Sequence, residues 1–65
     1  MRVKFNKRIY FCTVATHTEN SQLLLLTTSN GIYTVDMRSA EEAEKTHNHL
    51  LTKGFYDFSN FEYGN

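Results

Sequence analysis

Apolar and polar side chains alternate over the first sixteen residues, which is the pattern of a β-strand. One parity holds Met1, Val3, Phe5, Ile9 and Phe11, and the other holds Arg2, Lys4, Arg8 and Tyr10. We predict one long strand over residues 2–16, or a short hairpin that turns at Asn6-Lys7. From residue 10 onward both parities are apolar, so this part is expected to be central in a sheet.

Asn30-Gly31 is the strongest local signal in the chain. It lies between two β-prone runs, at residues 22–29 and 31–37. Asn-Gly tolerates the positive φ angles of tight hairpin turns. The two runs are therefore predicted to be antiparallel strands joined by this turn.

Four consecutive leucines, residues 23–26, fill the first of these two strands. A two-residue turn at Asn30-Gly31 places Leu23 and Leu25 on one face together with Ile32. A three-residue turn exchanges the faces, because a slip of one residue inverts the side-chain pattern. In both cases two leucines point to each face of the sheet.

A helix is predicted over residues 39–53. Ser39 and Glu42 have the spacing of a capping box, and Glu41 adds negative charge near the helix N-terminus, where the helix dipole favours it. Gly54 can adopt the left-handed conformation that ends a helix. The apolar stripe of this helix is thin, so it can cover one face of a sheet only.

A short strand at residues 55–58 follows the helix, and an aromatic tail runs to residue 65. The predicted fold is α+β: a small mixed four-stranded sheet in β-β-β-α-β order, with a single helix packed on one face. Residues 1–65 are expected to form a single compact domain. The tight connection predicts that the strands on either side of the helix are parallel, with a right-handed crossover.

The size of the chain limits what this domain can do. A core built from 65 residues supplies only about 3–5 kcal/mol of net stability. The single cysteine excludes an internal disulfide and favours a reducing compartment, and no apolar run reaches the ~20 residues that span a bilayer. The first residues do not resemble a signal peptide, so we expect a complete cytoplasmic product that does not act at a membrane.

Catalytic and metal-binding patterns are missing from the sequence. Cys12 lies mid-strand among apolar residues, and no orienting carboxylate accompanies it and His17. His47 and His49 point to different sides of the predicted helix, so they cannot share a metal as an i,i+4 pair does. We therefore predict a protein that is not an enzyme and that needs no metal, cofactor or small-molecule ligand.

One sheet face remains uncovered in the predicted fold, because one helix covers only one face. Three arrangements can cover it: the aromatic tail folds under the sheet, two copies pack as a homodimer, or another protein docks there. An exposed apolar patch of a few hundred Å² usually marks an interaction site. The predicted interface residues are Leu23, Leu25, Ile32, Phe58, Phe61 and Tyr63.

Nucleic-acid binding is the alternative, because basic and aromatic side chains together can bind single strands. The candidate residues are Arg2, Lys4, Arg8 and Tyr10. However, the formal net charge is zero, whereas nucleic-acid-binding domains are normally basic. Acidic residues also interleave with the aromatic tail and would repel phosphate.

The sequence as a whole favours a small, non-catalytic protein-interaction module. It is expected to bind another protein, a second copy of itself, or both. Compact proteins of this kind are common in phages and mobile elements, where they bind host proteins, and a phage-type origin is part of the prediction.

Overall fold

The computed structural model describes residues 1–64 as six strands and one helix. The elements are β1 (Arg2–Phe5), β2 (Arg8–His17), β3 (Leu23–Thr28), β4 (Gly31–Asp36), α1 (Ala40–Lys53), β5 (Phe55–Asp57) and β6 (Glu62–Gly64). The strands form one sheet in the order β5-β1-β2-β3-β4-β6. The predicted aromatic tail ran to Asn65, which lies outside the described residues.

The prediction of a four-stranded sheet in β-β-β-α-β order is wrong, although the broad α+β class holds. One additional strand arises because residues 2–16 form a hairpin. Asn6 and Lys7 have φ angles of 51° and 61°, which is the backbone of a type I′ turn. The other additional strand is β6, formed by the tail and paired with β4.

The predicted parallel direction of the two strands on either side of the helix is also wrong. β5 runs parallel to β1, and three antiparallel pairs lead from β1 through β2 and β3 to β4. The strands on either side of α1, β4 and β5, are therefore antiparallel in sheet direction. The turn at Asn6-Lys7 adds one reversal of the chain, and this reversal inverts the predicted direction.

The sheet curls into a half-barrel. Phe5 on β1 and Tyr63 on β6 have ring centroids 4.9 Å apart, although three strands separate β1 from β6. The concave side, called here the inner face, holds the core. Its fully buried large side chains are Val3, Phe5, Cys12, Leu24, Leu26, Val35, Met37, Leu50 and Phe58.

The predicted helix and both of its ends are confirmed. The Ser39 hydroxyl accepts a hydrogen bond from the Glu42 backbone N–H at 3.1 Å, and Gly54 ends the helix with φ at 75°. α1 contacts β2, β3 and β5. Ala43 and Leu50 are buried against the inner face, so the helix covers the concave side of the sheet.

The β3–β4 hairpin turns one residue earlier than predicted. Thr28 pairs with Gly31, so the two loop residues are Ser29 and Asn30. Gly31 has a φ of 121°, a conformation that favours glycine. Leu24 consequently pairs with Val35, whereas a two-residue turn at Asn30-Gly31 would pair it with Met37. This change moves the pairing by two residues and leaves each leucine on the face that the two-residue turn predicted.

A β-bulge divides β2 into two halves. Cys12 pairs with Thr28 and Val14 with Thr27, so Thr13 is the extra residue. Residues 8–11 pair with β1, whereas Cys12 and the residues after the bulge pair with β3. Bulges increase local twist, which helps the sheet to curl at its longest strand.

Candidate protein-interaction surface

The convex side of the sheet, called here the outer face, carries a group of exposed apolar side chains. We call this group the outer-face patch. It consists of Ile9, Phe11, Val14, Leu23, Leu25 and Ile32, each between 40% and 59% exposed. The patch lies on the three strands β2, β3 and β4.

The strand register shows that these side chains are contiguous. Val14, Thr27 and Ile32 form one row across three strands. Leu25 occupies the next outer-face row, and residues directly opposite on paired strands have Cβ atoms ~5 Å apart. Ile9 and Phe11 extend the patch along β2 at alternate positions. The result is one surface on which neighbouring apolar side chains are interleaved with three threonines, Thr16, Thr27 and Thr34.

Continuous exposed apolar patches differ in significance from isolated exposed apolar residues. Isolated exposed hydrophobic residues are normal on any protein, whereas a continuous patch of a few hundred Å² indicates an interaction site. Covering apolar surface yields roughly 25 cal/mol per Å². Covering the patch would therefore be favourable, in addition to the burial that stabilises the core.

Two groups of charged residues flank the patch at opposite ends. Arg2 and Lys4 on β1 share the outer face with Phe11 and Ile9, their partners on β2. We call this pair the basic corner. At the other end, Asp36 on β4 pairs with Glu62 on β6, and these two residues form the acidic corner.

Each corner also has one residue of the opposite charge nearby, and that residue is hydrogen-bonded to the segment at residues 59–60. Near the basic corner, the Ser59 hydroxyl and backbone N–H both donate to Asp57. These hydrogen bonds, with a smaller contribution from Lys4, lower the pKa of the Asp57 carboxyl. Near the acidic corner, Arg38 donates to the Asn60 carbonyl at 2.8 Å and lies over the Phe61 ring.

The predicted interface residues divide between the two sides of the sheet. Leu23, Leu25 and Ile32 lie in the outer-face patch. Phe58 is fully buried in the core, and its backbone N–H donates to the Lys4 carbonyl at 2.7 Å. Tyr63 faces inward against Phe5.

Phe61 belongs to the same inner group, because it is half-buried and packs against the core. The aromatic tail therefore completes the inner side and does not cover the outer face. Of the three predicted ways to cover that face, closure by the tail is ruled out by this geometry.

The structure separates the predicted nucleic-acid candidates. Arg2 and Lys4 lie at the basic corner, but Tyr10 faces inward and stacks on Phe5 with ring centroids 4.5 Å apart. Arg8 pairs with Phe5 at the end of the β1–β2 hairpin and is exposed. The aromatic residues beside Arg2 are instead Phe11 and Phe55, its cross-strand partners.

Sequence reasoning missed Ile9, Phe11 and Val14 as surface residues. Ile9 and Phe11 have the same parity as Val3 and Phe5, which suggested one shared face. The two-residue turn at Asn6-Lys7 inverts this parity, so Val3 pairs with Tyr10. An asparagine between two β-prone segments was the available signal, since asparagine tolerates the left-handed conformation.

The cysteine and two of the histidines are buried or hydrogen-bonded to backbone carbonyls. Cys12 is fully buried, and burial raises the pKa of its thiol. The His47 ring is bonded through Nε2 to the Ala15 carbonyl at 2.9 Å, and the His17 ring to the Ser21 carbonyl at 2.8 Å. In residues 1–64, no three His, Cys, Asp or Glu side chains are grouped as metal ligands would be.

The length of the helix and the comparisons with known proteins complete the description. None of the helical segments within residues 1–64 has the length and apolar character required to cross a bilayer. Comparison with protein-family models, with curated proteins and with solved structures finds no match for this chain.

Proposed function

We propose that this protein is a small, non-catalytic protein-interaction module that docks onto a protein surface through its outer-face patch. The contiguous apolar patch carries this proposal. The helix and the aromatic tail both lie on the inner side, and the convex side keeps six large apolar side chains in contact with solvent. The proposed site of action is the cytoplasm, since a lone buried cysteine suits a reducing compartment.

The composition of the patch favours a protein partner. Five of its six side chains are aliphatic, and only Phe11 is aromatic. Aliphatic side chains bury well against other apolar side chains, whereas single-stranded nucleic acids need aromatic rings on which their bases can stack. A polar and charged rim around an apolar centre is also the usual anatomy of a protein interface.

A photo-cross-link from the patch tests the proposal. We expect a photoreactive phenylalanine analogue at position 11 to form covalent protein adducts on irradiation, because Phe11 is 59% exposed within the patch. The same group at Asn48, an exposed position on α1, is the matched control. The adducts are measured by mass spectrometry, both in producing cells and with purified protein. Equal adduct yields from positions 11 and 48 would contradict the proposal.

Single-stranded nucleic acid is the second candidate partner, and one observation favours it. Arg2 lies between Phe11 and Phe55 in one row of the outer face, so a positive charge is flanked by two rings. Asp57 beside Lys4 opposes phosphate binding at the same place.

Fluorescence anisotropy with labelled single-stranded DNA and RNA tests this second candidate. If it is right, binding at low salt weakens steeply as salt is added, and the double substitution Arg2→Glu with Lys4→Glu abolishes it. Leu51→Ala on the exposed face of α1 serves as the control that should bind normally. Undetectable binding of either nucleic acid at low salt removes this candidate.

A further inference from the structure

We propose that the partner of the outer-face patch is a second copy of this chain, in a two-fold symmetric dimer that places the basic corner of each copy on the acidic corner of the other. This inference rests on the proposed function, since it requires the patch to be an interface. It adds the identity of the partner and the orientation in which it docks.

The order of the outer-face rows carries the inference. Counted along the strands, the first row contains Asp57, Lys4 and Ile9, and the second contains Phe55, Arg2 and Phe11. The middle row is Val14, Thr27 and Ile32, and the fourth contains Leu25. The last row contains Leu23, Asp36 and Glu62. Arg2 and Lys4 outweigh Asp57, so the charge is net positive at one end. Asp36 and Glu62 place negative charge at the other end, and the apolar patch lies between them.

This arrangement is self-complementary. In a two-fold symmetric interface, if residue i contacts residue j, then j also contacts i. An axis that lies in the interface and is perpendicular to the line between the two corners exchanges their positions. Each basic corner then faces the partner's acidic corner, twice per dimer. The middle row lies near the axis, so it meets its own copy and the apolar centres overlap.

The two corners lie near opposite edges of the sheet, so the line that joins them runs diagonally across the outer face. The basic corner lies on β1, near one edge of the sheet, and the acidic corner lies on β4 and β6, at the other edge. An axis that instead keeps the two ends in place brings like charges together, which costs free energy. Charge thus selects one orientation among those that cover the patch.

The dimensions of the molecule predict a weak dimer. Its extents are 27 × 23 × 18 Å, so the convex face can bury several hundred Å² per copy, below or near the ~800 Å² of a standard interface. Two convex faces meet mainly over their central part, and interfaces of this small size are typical of weak complexes, with dissociation constants on the order of micromolar or higher. We therefore expect monomer and dimer to exchange within an ordinary laboratory concentration range.

A charge-swap experiment tests both the partner and the orientation. Arg2→Glu places acid against acid in the dimer, and Glu62→Arg places base against base. Each single substitution is expected to weaken self-association about tenfold, since two contacts per dimer change from attraction to repulsion. The double variant with both substitutions restores two attractive pairs. An equimolar mixture of the two single variants does the same, as a heterodimer.

Sedimentation equilibrium measures these dissociation constants, and circular dichroism verifies that each variant is folded. Arg2 and Glu62 are exposed, so the fold should tolerate both changes. Recovery of wild-type affinity in the double variant and in the mixture supports the proposal. Single variants that dimerise as the wild type does overturn the orientation, and the outer-face patch stays the interface if Leu25→Asp still abolishes the dimer.

The docking surface and the identity of its partner can be tested separately. A wild-type protein that stays monomeric at the highest accessible concentration overturns the second copy as partner. The cross-link from position 11 then reports independently on the proposed function. Adducts with a different protein keep the patch as a docking surface, and the absence of adducts removes both proposals.

Discussion

Replacing Phe58 by alanine is expected to leave about half of the protein unfolded at room temperature. Phe58 is fully buried, packs against Tyr56 with ring centroids 4.8 Å apart, and joins the segment after β5 to the inner core. Removing a buried phenylalanine side chain costs about 3–5 kcal/mol. A domain of this size has about the same net stability, so this one substitution removes nearly all of it.

Phe11→Ala is the matched control, because it removes the same side chain from the outer face. Its ring is 59% exposed, so we expect a small loss in the free energy of unfolding, below about 1 kcal/mol. Urea denaturation followed by circular dichroism at low protein concentration measures both variants. A Phe58→Ala protein as stable as Phe11→Ala would show that the tail contributes little to the core.

Leu25→Asp is expected to give a folded protein that no longer self-associates. Leu25 is 40% exposed in the patch, so a carboxylate there stays hydrated in the monomer and would lose its water only in the interface. Burying an unpaired charge costs several kcal/mol, and the symmetric dimer would bury two. The dissociation constant should rise at least ~100-fold, as measured by light scattering over a concentration series.

Leu24→Asp, one residue earlier on the same strand, supplies the control for the fold. Leu24 is fully buried on the inner face, so the same substitution there is expected to unfold the chain. Circular dichroism separates the two outcomes. If Leu25→Asp also unfolds, the outer face is part of the folded core and the docking proposal is wrong.

Local signals in the sequence were sufficient for the helix. Ser39, Glu42 and Gly54 define its ends through hydrogen bonds and backbone angles that involve only nearby residues. The same holds for the leucine pattern of β3, where alternation within one strand places Leu23 and Leu25 opposite to Leu24 and Leu26. Such features are predictable because neighbouring residues alone determine them.

The first sixteen residues show where local reasoning fails. A single long strand and a hairpin at Asn6-Lys7 fit the same alternation. The single strand places Ile9 and Phe11 on the face of Val3 and Phe5, whereas the hairpin places both on the opposite face. The bulge at Thr13 then turns Val14 outward and Ala15 inward. Half of the outer-face patch thus depends on a turn and a bulge that only the packed sheet selects.

The sequence by itself determined the α+β class, the helix with both of its ends, and the presence of leucines on both faces of the sheet. Tertiary structure decided the six-strand order, the curl that draws the tail to the inner side, and the placement of opposite charges at the two ends of the patch. The physical reason is the range of the interactions. Caps, turns and alternation act over a few residues, whereas strand order and shared faces depend on contacts between residues far apart in the chain.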